Sequence, residues 1–308
     1  MSDLRIVLRS LRVRLFSSSV SVALVAISVG VLLTLLSLRS AGHASFRRGL
    51  GNAHLVLSAE ESALSTVLNT LFYVNPPRKA IPMAVVDELS AAFPWAWAIP
   101  TQLGDSYRGF PVLAVGEGYF EHVEPVAGEP WTLARGVWPE GAFDIVLGSV
   151  AAERTHLKVG DHVHLSHGHA HDGHVHDEFS FNVVGVLESS HSQHDRVIFA
   201  TLDGAWLIHA VDRHHAAGLE EPKTPADLLD EDRLVTGVFM RLPTRANRSG
   251  SAALQQVHDA LRRDDRVTVA SPSAQIDRLW TIVSGIDAIF IAMAGAVLLS
   301  SSFSIMLS

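Results

Sequence analysis

The segment 179–187 reads FSFNVVGVL, and 161–166, just upstream, reads DHVHLS. Phe179, Phe181 and Val183 alternate with a polar partner row before an apolar end, the period-two pattern of a strand with one buried face. DHVHLS follows Lys158-Val159-Gly160 and reads as a second strand facing the first. Across their junction runs HVHLSHGHAHDGHVHDEF, residues 162–179, which carries His162, His164, His167, His169, His171, His174 and His176 out of 17 histidines in the chain. The histidine run therefore falls on a strand end and the connecting loop of a hairpin.

The surrounding sequence alternates strand and helix patterns. AHLVL (53–57), PVLAV (111–115), DIVLG (144–148), RVIFATL (196–202), GVFMRL (237–242) and RVTVA (266–270) are short apolar runs suited to strands. Pro82 opens a helix over MAVVDELSAAF, with Val85, Val86, Leu89 and Phe93 on one face and Pro94 ending it. Leu254, Val257 and Leu261 repeat at helical spacing over 251–262. From Asp212 to Arg233 the chain is charged and broken by Pro222 and Pro225, which reads as a solvated excursion.

Two apolar segments bracket this domain. Residues 15–38, LFSSSVSVALVAISVGVLLTLLSL, carry no charge, and as a helix they cover the roughly 30 Å hydrocarbon core of a bilayer. Ahead of them, SDLRIVLRSLRVR sets Leu4, Val7, Leu8 and Leu11 against Arg5, Arg9, Arg12 and Arg14, a basic amphipathic helix suited to a cytoplasmic membrane surface. A cleaved signal peptide is the rival, since Gly42-His43-Ala44 loosely fits a cleavage site. The apolar stretch exceeds the roughly 7–15 residues of a secretory core, and Arg39 separates it from that site, so an uncleaved anchor is the better reading. The second segment, 281–308, contains Asp287 near its start. Ala288, Ala292, Ala296, Ser300 and Ser304 recur every fourth residue, giving a small face for close helix packing. A buried helix of a soluble protein is the alternative there. The sequence stops within this segment, which reads as a span truncated at its C-terminus.

Composition agrees with a chain partly in lipid: the 308 residues have only 18% charged residues and a formal charge of −8, with a mean hydropathy of +0.24. The acidic balance and the lack of a basic stripe argue against a nucleic acid partner. With no cysteine, disulfides, thiolate metal sites and cysteine nucleophiles are excluded. The fold class is α+β: an N-terminal transmembrane helix, a mixed α/β domain outside the cytoplasm, and a second, incomplete transmembrane helix.

A phosphate-cradling P-loop ends in Lys-Ser or Lys-Thr; Lys223-Thr224 is preceded by Glu220-Glu221-Pro222 instead of a glycine loop, so the chain carries no ATPase site. Nor is there a Gly-x-Ser-x-Gly elbow or a His-Glu-x-x-His helix, and no catalytic residues are assigned. The candidate metal ligands are His167, His169, His171, His174 and His176, with zinc first by ligand type and Asp172, Asp177 and Glu178 nearby. Against a fixed site stands the glycine-punctuated loop, which offers many interchangeable chelates and also fits a polar hairpin tip. No cofactor is required. His191, His194, His209, His214 and His215 read as ordinary surface or half-buried histidines. Trp95, Trp97, Trp131 and Trp138 suit either core packing or an apolar ligand groove.

FDIVLGSVAAERTHLKVGDHVHLS, followed by FSFNVVGVLESS, resembles the MacB/FtsX-like permeases of ABC transporters, the branch that includes the lipoprotein-releasing permeases. The Gly-Ser, small helix and Val-Gly-Asp passage into a strand are similar, as is AIPTQLGDSYRGFPVLAVGEGYF to the porter-like part of their periplasmic core. The histidine insertion is not a general feature of that family. The resemblance implies a permease subunit of the plasma (inner) membrane with this division: 1–14 a cytoplasmic basic helix, 15–38 the first span, 40–280 a periplasmic core with a β-rich part near 140–210 holding the loop 162–178, and 281–308 the second span. It further implies a separate ABC ATPase subunit, a second permease subunit packed through Ala288, Ala292, Ala296 and Ser300, and a periplasmic partner protein. On layout alone, two other classes remain: a two-span sensor with a metal-binding extracytoplasmic domain, and a membrane-anchored zinc hydrolase.

Overall fold

The computed structural model describes residues 15–167, 179–243 and 251–307. The chain forms two compact units, Met1–Ala44 with Asp277–Ser308, and Ser45–Ile276. In chain order the elements are α1 (Leu15–Arg48), β1 (Leu55–Ser58), α2 (Ala63–Phe72), β2 (Ile81–Pro82), α3 (Met83–Ala92), β3 (Trp97–Tyr107), β4 (Phe110–Val115), α4 (Tyr119–His122), β5 (Leu133–Gly136), β6 (Asp144–Leu147), α5 (Ser149–Thr155), β7 (His162–Val163), β8 (Ser166–His167), β9 (Phe181–Leu187), β10 (Ile198–Thr201), α6 (Leu202–Ala217), β11 (Leu234–Val235), β12 (Gly237–Arg241), α7 (Ser251–Leu261), β13 (Thr268–Ala270) and α8 (Pro272–Leu307).

Within the first unit, α1 and α8 are long and apolar enough to cross a membrane. Their apolar side chains stand exposed, among them Val22, Ile27, Leu33, Ile289 and Met293. Arg39 donates from Nη2 to Ser284 Oγ at 2.8 Å, and His43 meets Trp280 edge-on with centroids 5.3 Å apart. Ala288, Ala292, Ala296 and Ser300 are all exposed. An every-fourth stripe precesses by about 40° per step around a 3.6-residue helix, so it turns away from the α1 contact that Ser284 begins.

The second unit is built on one large sheet whose path runs β13-β1-β12-β3-β4-β10-β6-β9-β5. Its pairs are antiparallel except β4 with β10 and β6 with β9. The hairpin expected from the sequence exists, with Val163 opposite Phe181, but it lasts only two residues. The chain then leaves β9, and β8 pairs with β3 instead, Ser166 opposite Ser106 and His167 opposite Asp105. The segment 162–167 therefore ties β9 to β3, and β3-β4-β10-β6-β9 closes on itself through it.

β3 makes this possible. Its first half pairs with β12 and its second half with β8, while β4 flanks it from Thr101 to Tyr107. Between Leu103 and Asp105 the register with β4 slips by one residue, a bulge that places Gly104 as the extra residue. Bulges bend and twist a strand locally, which lets one strand serve both the open part of the sheet and the closed part. Alternation is kept elsewhere: β9 buries Phe181, Val183, Gly185 and Leu187 and turns Asn182, Val184 and Val186 partly outward. Its inward side chains join Val112, Ala114, Val163, Leu165, Ile198 and Ala200 in the main core, which α6 covers with Leu207, Ile208 and Ala210.

The segment 212–233 is exposed through its middle, as its sequence suggests, and departs from that reading at its two ends. Helix α6 continues to Ala217, where Gly218 ends it at φ 68°. His214 is buried, donating from Nδ1 to the Glu220 carbonyl at 2.7 Å and from Nε2 to Asp232 at 2.9 Å. The Glu220 carbonyl first, and then Asp232, raise the His214 pKa. Burial pushes the Asp232 carboxyl up, but the Leu229 N–H, Arg213 and His214 outweigh it and hold it below its ordinary value. Arg213, His214 and Asp232 are thus paired with one another, while Glu220, Glu221, Lys223, Asp230 and Glu231 stand exposed. The stabilisation from His214 is present below its unfolded pKa and is lost as pH rises through its folded value.

The phase of β9 is testable. Phe181→Ala should cost about 3–5 kcal/mol by opening a cavity in the core, whereas Val184→Ala, one position along on the outer face, should cost under about 1 kcal/mol; denaturant unfolding of the purified chain reads both.

Candidate functional site

The last turn of α1 belongs to the second unit, and the contacts that fix it there define the first candidate site. Arg48 Nε donates to the Ser190 carbonyl at 3.0 Å, and its Nη2 pairs with Glu129 at 2.7 Å. Gln193 Nε2 donates to the Gly49 carbonyl at 2.7 Å and to that of Leu71 at 3.1 Å. A Cβ on Gly49 would push the Gln193 carboxamide off these two carbonyls. Phe46 packs on Phe72 with centroids 4.9 Å apart.

The segment 189–196 that receives these contacts is itself organised by one carboxylate. Asp195, nearly buried, accepts from Ser189 Oγ at 2.7 Å, from Ser190 N and Ser190 Oγ at 2.8 Å each, and from His191 N at 3.0 Å. Beside it, His194 shares a 2.8 Å hydrogen bond through Nδ1 with the Tyr73 hydroxyl and lies edge-on to Trp131. Burial lowers the His194 pKa to about 4, against a smaller opposing pull from Asp195. Burial likewise drives Tyr73 and Tyr119 upward. At neutral pH the hub is therefore an uncharged Tyr–His pair beside the multiply hydrogen-bonded Asp195.

A second candidate is a cleft of about 1070 Å³ between the β3–β4 end of the sheet and α6. Phe120, Trp131 and Trp138 line it, with Glu117, Glu121, Glu140 and Asp203 around them. Phe120 stacks at 4.8 Å from Trp138 and 5.7 Å from Trp131. The tryptophan expectation divides accordingly. Trp131 is buried and continues through Tyr119 and Phe199 into the interior, while Trp138 is exposed at the cleft and available to a ligand.

Of the histidines proposed as metal ligands, His169, His171, His174 and His176 lie outside the described residues. His167 is placed by backbone register opposite Asp105. His162 pairs with Asn182 at the strand edge, and His164 donates from Nδ1 to the Phe179 carbonyl at 3.0 Å. Among the described residues no three His, Asp or Glu side chains converge on a metal position. His194 is committed to Tyr73 rather than to the run. The hub residues Arg48, Gln193 and Asp195 were missed from sequence; the dense polar string SSHSQHD (189–195) between two strands was the available signal.

These features describe a class: a mixed α/β domain for the space outside the cytoplasm, joined in sequence to membrane-length helices. The family model of the MacB-like periplasmic core domain matches residues 18–231, and the chain belongs to that family, within the MacB/FtsX-like permeases of ABC transporters. No curated protein sequence matches it. Among solved structures, the periplasmic region of MacB from Actinobacillus actinomycetemcomitans aligns with a TM-score of 0.44 and 9% identity, over 75% of this chain and 94% of that one. The extracellular domain of the noncanonic ABC-type transporter YknZ from Gram-positive bacteria aligns with a TM-score of 0.38 and 9% identity, over 70% and 98%.

The hub makes a pH prediction with a definite sign. The folded pKa of His194 lies below its unfolded value, so the unfolded chain binds more protons between them and stability falls as pH drops from about 6.5 towards about 4. The loss should reach the order of 3 kcal/mol. Unfolding measured across that range should show the slope in the native chain and not in His194→Gln.

Proposed function

We propose that this chain is the membrane subunit of an ABC transporter, in which an ATPase on a separate chain drives movements that the extracytoplasmic domain carries out. The observation that carries the reading is the construction of the α1 end. Within the second unit, Arg48 and Gly49, which follow the apolar segment in sequence, are held by Ser190, Glu129 and Gln193. The segment 189–196 is in turn tied to the sheet through the Gly148 N–H, which donates to the Val197 carbonyl at 2.8 Å. Mutually hydrogen-bonded polar groups of this kind give the domain a defined attachment point for a membrane helix.

In this reading, 15–38 and 281–308 cross the plasma (inner) membrane, 1–14 lies on the cytoplasmic side near the ATPase, and 40–280 is periplasmic. The exposed small residues Ala288, Ala292, Ala296 and Ser300 receive a further permease helix or the second permease subunit, where short side chains allow close approach. The aromatic, acid-rimmed cleft around Phe120 and Trp138 serves an extracytoplasmic partner or cargo with an apolar body and positive charge.

The absence of cysteine makes topology directly measurable. In intact spheroplasts an impermeant maleimide should label Glu61→Cys and leave Ser2→Cys unlabelled; the reverse pattern would contradict the orientation. A P-loop ATPase encoded next to this chain should co-purify with it from detergent. Its failure to do so would favour the sensor class.

A further inference from the structure

A second pocket lies apart from the aromatic cleft, and the permease reading leaves it without a role. Its volume is about 550 Å³, within the roughly 300–1,000 Å³ of small-ligand sites. One wall is a face of α2, where Ser65 and Asn69 stand one turn apart; the other is the loop that follows the helix, with Asn75, Arg78 and Lys79. Glu60 and Glu61, on the approach to α2, complete it. This frame is fixed at both ends. The Glu60 N–H donates to Ser58 Oγ at 3.1 Å, and the Glu60 carbonyl accepts from Thr268 Oγ1. Tyr73 ends α2 in the left-handed conformation, the Val74 N–H reaches back to the Leu68 carbonyl at 3.2 Å, and Ile81 then enters β2 opposite Val235.

The charges of this pocket do not satisfy one another. Elsewhere in the domain Arg48, Arg213 and Arg266 are held in ion pairs. Among the described residues Arg78 and Lys79 form none, nor do Glu60 and Glu61, although all four line one pocket. Opposite charges that face one space without closing on each other match a ligand that carries both signs. Glu60 Oε1 is enclosed and has no hydrogen-bond donor among the described residues. The carboxylate is thereby under-solvated, and a cation beside its other oxygen relieves it. Asn69 is only 6% exposed. Its Oδ1 accepts from Asn75 Nδ2 at 3.5 Å, and among the described residues its own Nδ2 is left to donate to a carbonyl.

We propose that this pocket binds a short peptide by its two free termini, the α-ammonium at Glu60 and Glu61 and the α-carboxylate at Arg78 and Lys79. Arg78 offers the planar fork that takes a carboxylate through two parallel hydrogen bonds. The carboxamides of Asn69 and Asn75 and the Ser65 hydroxyl meet the peptide units in between, since a carboxamide supplies both a donor and an acceptor to an amide. Among the lining residues only Ala59 and Pro76 have wholly apolar side chains, which leaves no seat for an acyl chain or an aromatic group. Recognition therefore rests on the termini and the backbone and tolerates varied side chains. A bound peptide bridges the loop 75–79 to the start of α2, so occupancy tightens that loop on the domain.

Calorimetry on the full chain in detergent tests this. The probes are Ala-Ala-Ala with free termini, its N-acetylated form, its C-amidated form, and phosphoethanolamine, the headgroup of a zwitterionic lipid. Ala-Ala-Ala should bind once per chain, and blocking either terminus should weaken binding by about tenfold or more. Glu60→Gln and Arg78→Gln should each weaken the free tripeptide by a similar factor. Glu60 is partly enclosed, so circular dichroism accompanies that variant; Arg78 is exposed on the loop, and Arg78→Gln provides the decisive comparison. No uptake of Ala-Ala-Ala, equal affinity for the blocked forms, unchanged affinity in Arg78→Gln, or tighter binding of phosphoethanolamine than of the tripeptide would overturn the proposal.

Discussion

One irregularity in one strand organises this domain. β3 has to leave its pairing with β12 and take β8 as a neighbour while never losing β4. A regular strand has one partner on each side and one phase of alternation, so it cannot both extend an open sheet and close a curled one. The extra residue Gly104 resolves this by shifting phase midway. Before it, Ile99, Thr101 and Leu103 face inward in alternation; after it, Asp105 and Ser106 are buried in succession. Asp105 keeps the inward phase of Ile99, Thr101 and Leu103, and Ser106 is the residue that the irregularity adds to the buried side.

The chain's apolar periodicity was sufficient to locate most elements. PVLAV, DIVLG, GVFMRL and FSFNVVGVL are strands within a residue or two, and Met83–Ala92 and Ser251–Leu261 are helices as their spacing required. Both apolar segments are helical, and each helix continues beyond the apolar limits, to Arg48 in one case and back to Pro272 in the other. What the sequence concealed was long-range. β3 contains Pro100, Gly104 and Asp105, residues that local rules assign to turns, and only its cross-strand partners make it the longest strand. The charged segment 212–233 read as solvated because each charge was considered alone, whereas Arg213, His214 and Asp232 neutralise one another after the chain turns back.

The candidate sites were legible to different degrees. Trp131 and Trp138 were singled out, yet nothing local distinguishes the one that is buried from the one lining the cleft. The histidines of 162–176 drew attention by number, while His194 and His209 were set aside as ordinary. Number is visible in a sequence, but partnership is not: His194 acquires its meaning from Tyr73, 121 positions away, and His209 from Asp105, 3.3 Å from its Nε2. Two histidines buried among the described residues also respond to pH in opposite senses, burial lowering the pKa of His194 and its acceptors raising that of His214.

The ring closed by β7 and β8 has a bearing on how such a domain can change. The segment 162–167 is pinned at one end to β9 and at the other to β3, and the chain re-enters the sheet at Phe181. Whatever lies between His167 and Phe181 is thus spliced into a frame that is already complete on either side of it. The entropy of lengthening a loop between fixed ends grows only with the logarithm of its length. This junction can accept inserts of very different composition at little cost to the fold.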